Sequence, residues 1–138
     1  MPINQSEIAS RVKRFEAECR RRRLPLTPQK RAVFEAVAST DRHPTAQELN
    51  AAIRRKFPNL SFATVYKNLA LLSELGLVSE FRVGGGVSRF DANTGVHAHL
   101  YSLGSDKLRD AEVNGPVPLP RGVRAGSVES VLLVYYVR

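Results

Sequence analysis

His97 and His99 are separated by one residue, and on a β-strand that spacing turns both imidazoles to the same face, as two ligands of one ion require. Asp91 and Asp110 flank the pair and offer hard oxygen donors, and His43 is the one remaining histidine. A nitrogen and oxygen set without sulfur suits Fe(II), Mn(II) or Zn(II), with geometry rather than raw affinity deciding among them. An HxH pair alone is a weak signal, because histidines in a chain of this length more often have no metal role. Cys19 is the only cysteine, so neither an intramolecular disulfide nor a cysteine cluster for zinc can form from this sequence. A reducing cytoplasm is the expected home.

The elements that must carry these side chains are legible from periodicity and caps. Ile8, Val12, Phe15 and Cys19 share one face of a helix predicted over about 6–23. Thr27-Pro28 starts a second helix, with Val33, Phe34 and Val37 as its apolar stripe. Thr45 and Glu48 have capping-box spacing, and Leu49, Ile53 and Phe57 follow on the buried side of a third helix. Pro58 stops it. Ser61 caps a fourth, with Val65, Leu69, Leu72 and Leu75 inward and Gly76 at its end. The third and fourth helices have the spacing of a helix-turn-helix. Residues 77–83 and 87–90, joined by three glycines, read as a hairpin wing. Beyond it, residues 97–101, 107–113 and 128–137 read as strands, and 114–127 as a Gly- and Pro-rich loop. The expected class is α+β: a winged helix-turn-helix domain over 1–90, a hinge at 91–96, and a small, shortened β-rich domain over 97–138.

Such a module points to duplex DNA. On the fourth helix the inward set leaves Thr64, Tyr66, Lys67 and Asn68 among the outward residues of the first turns, where a recognition helix meets base edges and phosphates. The run Arg20, Arg21, Arg22 and Arg23 closes the first helix. It either sits solvated at the negative end of the helix dipole or contacts phosphate. A winged helix used for protein contacts is the competing reading. The formal net charge of +8 favours a polyanion, and residues 1–80 hold most of the excess, with 14 Lys and Arg against 8 Asp and Glu. No apolar run approaches a membrane span, and the first residues lack the apolar stretch of a signal peptide. The expectation is therefore a protein without membrane contact.

Taken together, LTPQKRAVFEAV, HPTAQEL, FPNLSFATVYKNLALLSELGLV, RFD and HAHL with a later KLRD resemble the ferric-uptake-regulator family over residues 10–110. The resemblance implies a metal-dependent transcription regulator, expected as a repressor and a homodimer. One divalent ion per chain, Fe(II) or Mn(II) with Zn(II) as an option, would be held by His43, Asp91, His97, His99 and Asp110. Iron-sensing members tend to carry Glu where this chain has Asp91 and Asp110, whereas the peroxide-sensing branch carries Asp at both. In that branch, iron-catalysed oxidation of a ligand histidine, which by resemblance is His43 or His97, removes the metal and releases the DNA. The expected operator is an AT-rich inverted repeat.

The sequence also departs from the family. Members usually have CxxC after the HxH strand, where this chain has Ser102 and Ser105, so no structural zinc is expected. The dimerisation helix is also missing, and only the loop at 114–127 stands in its place. Three alternatives follow: an iron, manganese or zinc availability regulator of the same family, a metal-independent winged-helix protein, and an enzyme. Two histidines and a carboxylate also form the triad of non-haem iron oxygenases. The chain is too short for the barrel such enzymes need, so no enzymatic activity is expected.

Overall fold

The computed structural model describes residues 3–138. The chain divides into two compact units, Met1–Thr94 and Gly95–Arg138.

Four helices and a short hairpin build the first unit: α1 (Gln5–Arg21), α2 (Pro28–Ala38), α3 (Ala46–Arg54), α4 (Phe62–Glu74), β1 (Ser79–Phe81) and β2 (Arg89–Asp91). Each helix starts where a side-chain oxygen accepts an otherwise unpaired backbone N–H: Asn4 from Glu7, Thr27 from Lys30, Thr45 from Glu48 and Ser61 from Thr64. The first helix thus begins at Gln5, capped by Asn4, rather than at Ser6, and ends at Arg21 rather than Arg23. At Thr45 the hydroxyl half of the expected capping box is made. Gly76 turns the chain out of α4 with φ of 71°, a conformation that a Cβ disfavours.

The periodic apolar residues meet in one core. Phe15 and Phe34 stack with ring centroids 4.6 Å apart, and Val33, Val37, Leu49, Ile53, Val65, Leu69 and Leu72 close around them. β1 and β2 are antiparallel, with Ser79 opposite Asp91 and Phe81 opposite Arg89. Thr45 adds an antiparallel bridge to Arg89, so the loop before α3 lies along the hairpin. The paired part of the wing is shorter than expected, because Leu77 and Val78 are spent on the helical core instead.

Three strands build the second unit: β3 (Ala98–Ser102), β4 (Leu108–Ala111) and β5 (Leu133–Val137), in the order β4-β3-β5. β3 runs antiparallel to β4 and parallel to β5. A parallel neighbour needs a crossover, and here the segment between β4 and β5 supplies it with a single 3-10 turn at Ala125–Ser127. Of the strand expected over 128–137, only Leu133–Val137 is paired.

Candidate metal centre and nucleic-acid interface

In the first unit, His43 and Asp91 come together. The backbone of His43 is left-handed, with φ of 55°, and its carbonyl accepts a hydrogen bond from Arg89 Nη1 at 3.2 Å. The next carbonyl, of Pro44, accepts from the Phe90 N–H at 2.9 Å. These bonds fasten the His43 loop to β2, whose last residue is Asp91. Asp91 Oδ1 accepts from the Asn93 N–H at 2.8 Å, and Oδ2 lies 3.6 Å from His43 Nε2. The His43 ring also stands edge-on to Phe81, with centroids 5.8 Å apart. Both ionisable partners are buried. A buried carboxylate is costly unless something positive or hydrogen-bonding faces it.

In the second unit, three donors converge. The register pairs His99 with Asp110 across β3 and β4, and His97 precedes His99 by one alternation on the same face. His97 Nε2 and His99 Nε2 are 3.2 Å apart, and each lies 3.5 Å from Asp110 Oδ1. His97 Nδ1 lies 2.8 Å from the Gly95 carbonyl, which can only accept, so Nδ1 carries the proton and Nε2 presents its lone pair. Two imidazole nitrogens this close attract only through a shared proton or a cation. With metal–ligand bonds of about 2.1 Å, neighbouring donors sit about 3.0 Å apart in octahedral geometry and about 3.4 Å in tetrahedral geometry. The observed triangle fits a cation on both counts. Each unit therefore carries His and Asp side chains able to hold a metal ion.

The residues expected to meet nucleic acid fall at two places in the first unit. Tyr66 and Lys67 are exposed on the first turns of α4, as the periodicity requires. Thr64 and Asn68 are more committed: the Thr64 hydroxyl lies 2.8 Å from that of Ser61, and Asn68 Nδ2 donates to the Thr64 carbonyl at 3.0 Å. The Tyr66 hydroxyl reaches Glu80 Oε1 at 3.4 Å. A groove of about 440 Å³ runs between this turn and the wing, lined by Gln47, Phe62, Tyr66, Arg82, Gly86 and Val87. The arginine run is split by Glu18. Arg21 and Arg22 both donate to the Glu18 carboxylate, whereas Arg20 and Arg23 are exposed and make no ion pair among the described residues. The hydrogen bonds from Arg21 and then Arg22 lower the Glu18 pKa to about 2. An i, i+3, i+4 check on the sequence could have found this acid; Arg89, whose guanidinium reaches the His43 carbonyl, and Gly95, whose carbonyl meets His97, carried no such signal.

A helix-turn-helix with a wing, followed by a β unit with His and Asp side chains able to hold a metal, defines a winged-helix protein with a candidate metal centre. More particularly, the chain belongs to the ferric uptake regulator family, whose model matches residues 21–114. The chain is 39% identical over 94 residues to the peroxide-responsive repressor PerR of Staphylococcus epidermidis, a match covering 68% of this chain and 63% of that protein. It therefore spans just under two thirds of that relative's length. Among solved structures, the peroxide-sensing regulator PerR of Streptococcus pyogenes aligns with a TM-score of 0.56 and 26% identity, over 70% of this chain and 67% of that one. The Helicobacter pylori ferric uptake regulator Fur aligns with a TM-score of 0.70 and 16% identity, over 100% and 95%. At that identity the second likeness is one of fold.

No helix among the described residues is long and apolar enough to cross a membrane.

Proposed function

We propose that this protein is a metal-dependent DNA-binding repressor that senses peroxide through oxidation of a ligand histidine. The observation that carries the reading is the triangle of His97, His99 and Asp110, whose spacing fits a divalent cation, in a chain of this family related to peroxide-responsive repressors. His43 and Asp91 join those three as ligands of one Fe(II) or Mn(II) ion per chain. Asp at both carboxylate positions supports the peroxide branch. When bound, Fe(II) supplies one-electron chemistry toward peroxide that Mn(II) does not.

The chain's own residues do the rest. The Gly95 carbonyl fixes the tautomer of His97, and Arg89 holds the loop that carries His43. Oxidation of His43 or His97 removes one ligand and weakens the site. Tyr66 and Lys67, with Arg20 and Arg23, meet the DNA. Thr64, Asn68, Arg21 and Arg22 form the second rank, since each is already engaged inside the unit. The partner is an AT-rich inverted repeat, read by a homodimer whose recognition helices lie one DNA turn apart. Ser102 and Ser105 leave the β unit without structural zinc, and backbone bonds hold its turn instead: Asp106 N–H to Ser102 O at 2.9 Å and Ser102 N–H to Lys107 O at 2.9 Å.

The test is binding to such a repeat under anaerobic conditions with chelator, Mn(II) or Fe(II), followed by a peroxide pulse. The expected result is binding with either metal and loss of only the iron form, with one oxygen added to a His43 or His97 peptide. Survival of both metal forms would make the protein a metal-availability regulator. Binding unchanged by chelator would remove the metal from the account.

A further inference from the structure

The face of the second unit that carries His97 and His99 continues to Tyr101, the next residue of the same alternation. Tyr101 pairs in register with Leu108 on one side and Tyr136 on the other, as His99 pairs with Asp110 and Val134. Two residues along a strand is a step of about 7 Å, short enough for electron transfer through the strand. The Tyr101 hydroxyl donates to Asp106 Oδ1 at 2.5 Å, a short bond of the kind made to an ionised acceptor. The Tyr136 ring packs edge-on against Tyr101, with centroids 5.6 Å apart. Asp106 is held in place by its own backbone, with φ of 54° and its N–H on the Ser102 carbonyl. A phenol two residues from a candidate metal ligand, already bonded to a base, has the parts needed to give up an electron and a proton together.

We propose that Tyr101, with Asp106 as its proton acceptor, is a second oxidation site that competes with the ligand imidazoles for the oxidising power of hydrogen peroxide. The proposal rests on the reading of the site as an iron and peroxide centre. With Fe(II) held by the proposed ligands, peroxide would take two electrons, one from the ion and one from Tyr101, and one proton from solvent, and would leave as one hydroxide and one water. The phenol O–H bond breaks, its proton passes to the Asp106 carboxylate, and Tyr101 becomes a neutral phenoxyl radical. A peroxide molecule spent in this way does not oxidise a histidine, so Tyr101 sets the share of peroxide events that cost a ligand.

The experiment uses the full chain loaded with Fe(II) anaerobically and treated with peroxide. Electron paramagnetic resonance of freeze-quenched samples is read alongside peptide mass spectrometry. Wild type is compared with Tyr101→Phe and Asp106→Asn, each first checked for unchanged DNA binding with Mn(II). The expected result is a tyrosyl signal that Tyr101→Phe abolishes and Asp106→Asn cuts several-fold. Oxygen addition to His43 or His97 per peroxide should then rise several-fold in Tyr101→Phe. If histidine oxidation proceeds with no tyrosyl signal, or to the same extent in wild type and Tyr101→Phe, the inference is overturned and the peroxide reading stands. If neither histidine nor tyrosine is oxidised, both fall together.

Discussion

At the scale of single residues, His97 and Asp91 of the candidate site are each aimed by a backbone group. HxH on a strand fixes which face the imidazoles share. The groups that orient them are backbone atoms, the Gly95 carbonyl for His97 and the Asn93 N–H for Asp91, and their positions follow from the chain path rather than from residue type. Replacing His97 by Ala removes one corner of the triangle. Mn(II) affinity measured by competition titration should fall by at least the roughly 10–100-fold that even outer-shell changes cost. The Glu18 carboxylate gives a second residue-scale prediction. Its pKa is held at about 2, below the ordinary value of 4.5, so its stabilising pairing with Arg21 and Arg22 is fully present above 4.5 and is lost as pH falls toward 2. Carboxyl-carbon NMR should show a Glu18 midpoint near 2, and a midpoint in the usual glutamate range would contradict the pairing. Glu18→Gln should release both guanidinia and strengthen DNA binding, measured by fluorescence anisotropy at low salt.

At the scale of elements, helices were read more completely than strands. Their caps and stripes are local, so Thr27, Thr45 and Ser61 could be recognised from neighbouring residues alone. Strand ends depend on partners far along the chain. That is why the wing pairs over Ser79–Phe81 and Arg89–Asp91 only, and why β5 is half the expected length. The core offers a direct check. Phe34 is 1% exposed and stacked on Phe15, so Phe34→Ala should cost about 3–5 kcal/mol in denaturant unfolding, whereas Thr45→Ala should cost about 1 kcal/mol through its cap. Near-equal costs would mean that the first unit is not organised around the two phenylalanines. For the β unit, metal analysis should find no zinc that resists chelation, and the far-ultraviolet circular dichroism of the chelated protein should match that of the untreated protein.

At the scale of the whole molecule, the proposed function has one ion coupling metal status to DNA affinity. A coupling of about 1–3 kcal/mol is typical of such switches, or roughly a 5–150-fold change in affinity. By reciprocity, operator DNA should tighten metal binding by the same factor. The ligand set proposed above, His43, Asp91, His97, His99 and Asp110, is that of a single ion. Its most direct test is a Mn(II) titration of the full chain alongside His43→Ala and His99→Ala, with stoichiometry and affinity read together. One ion per chain is expected in the wild type, with a loss of at least about ten-fold in affinity for that ion in each variant. Two independent ions, or a His43→Ala protein that binds Mn(II) as tightly as wild type, would contradict it.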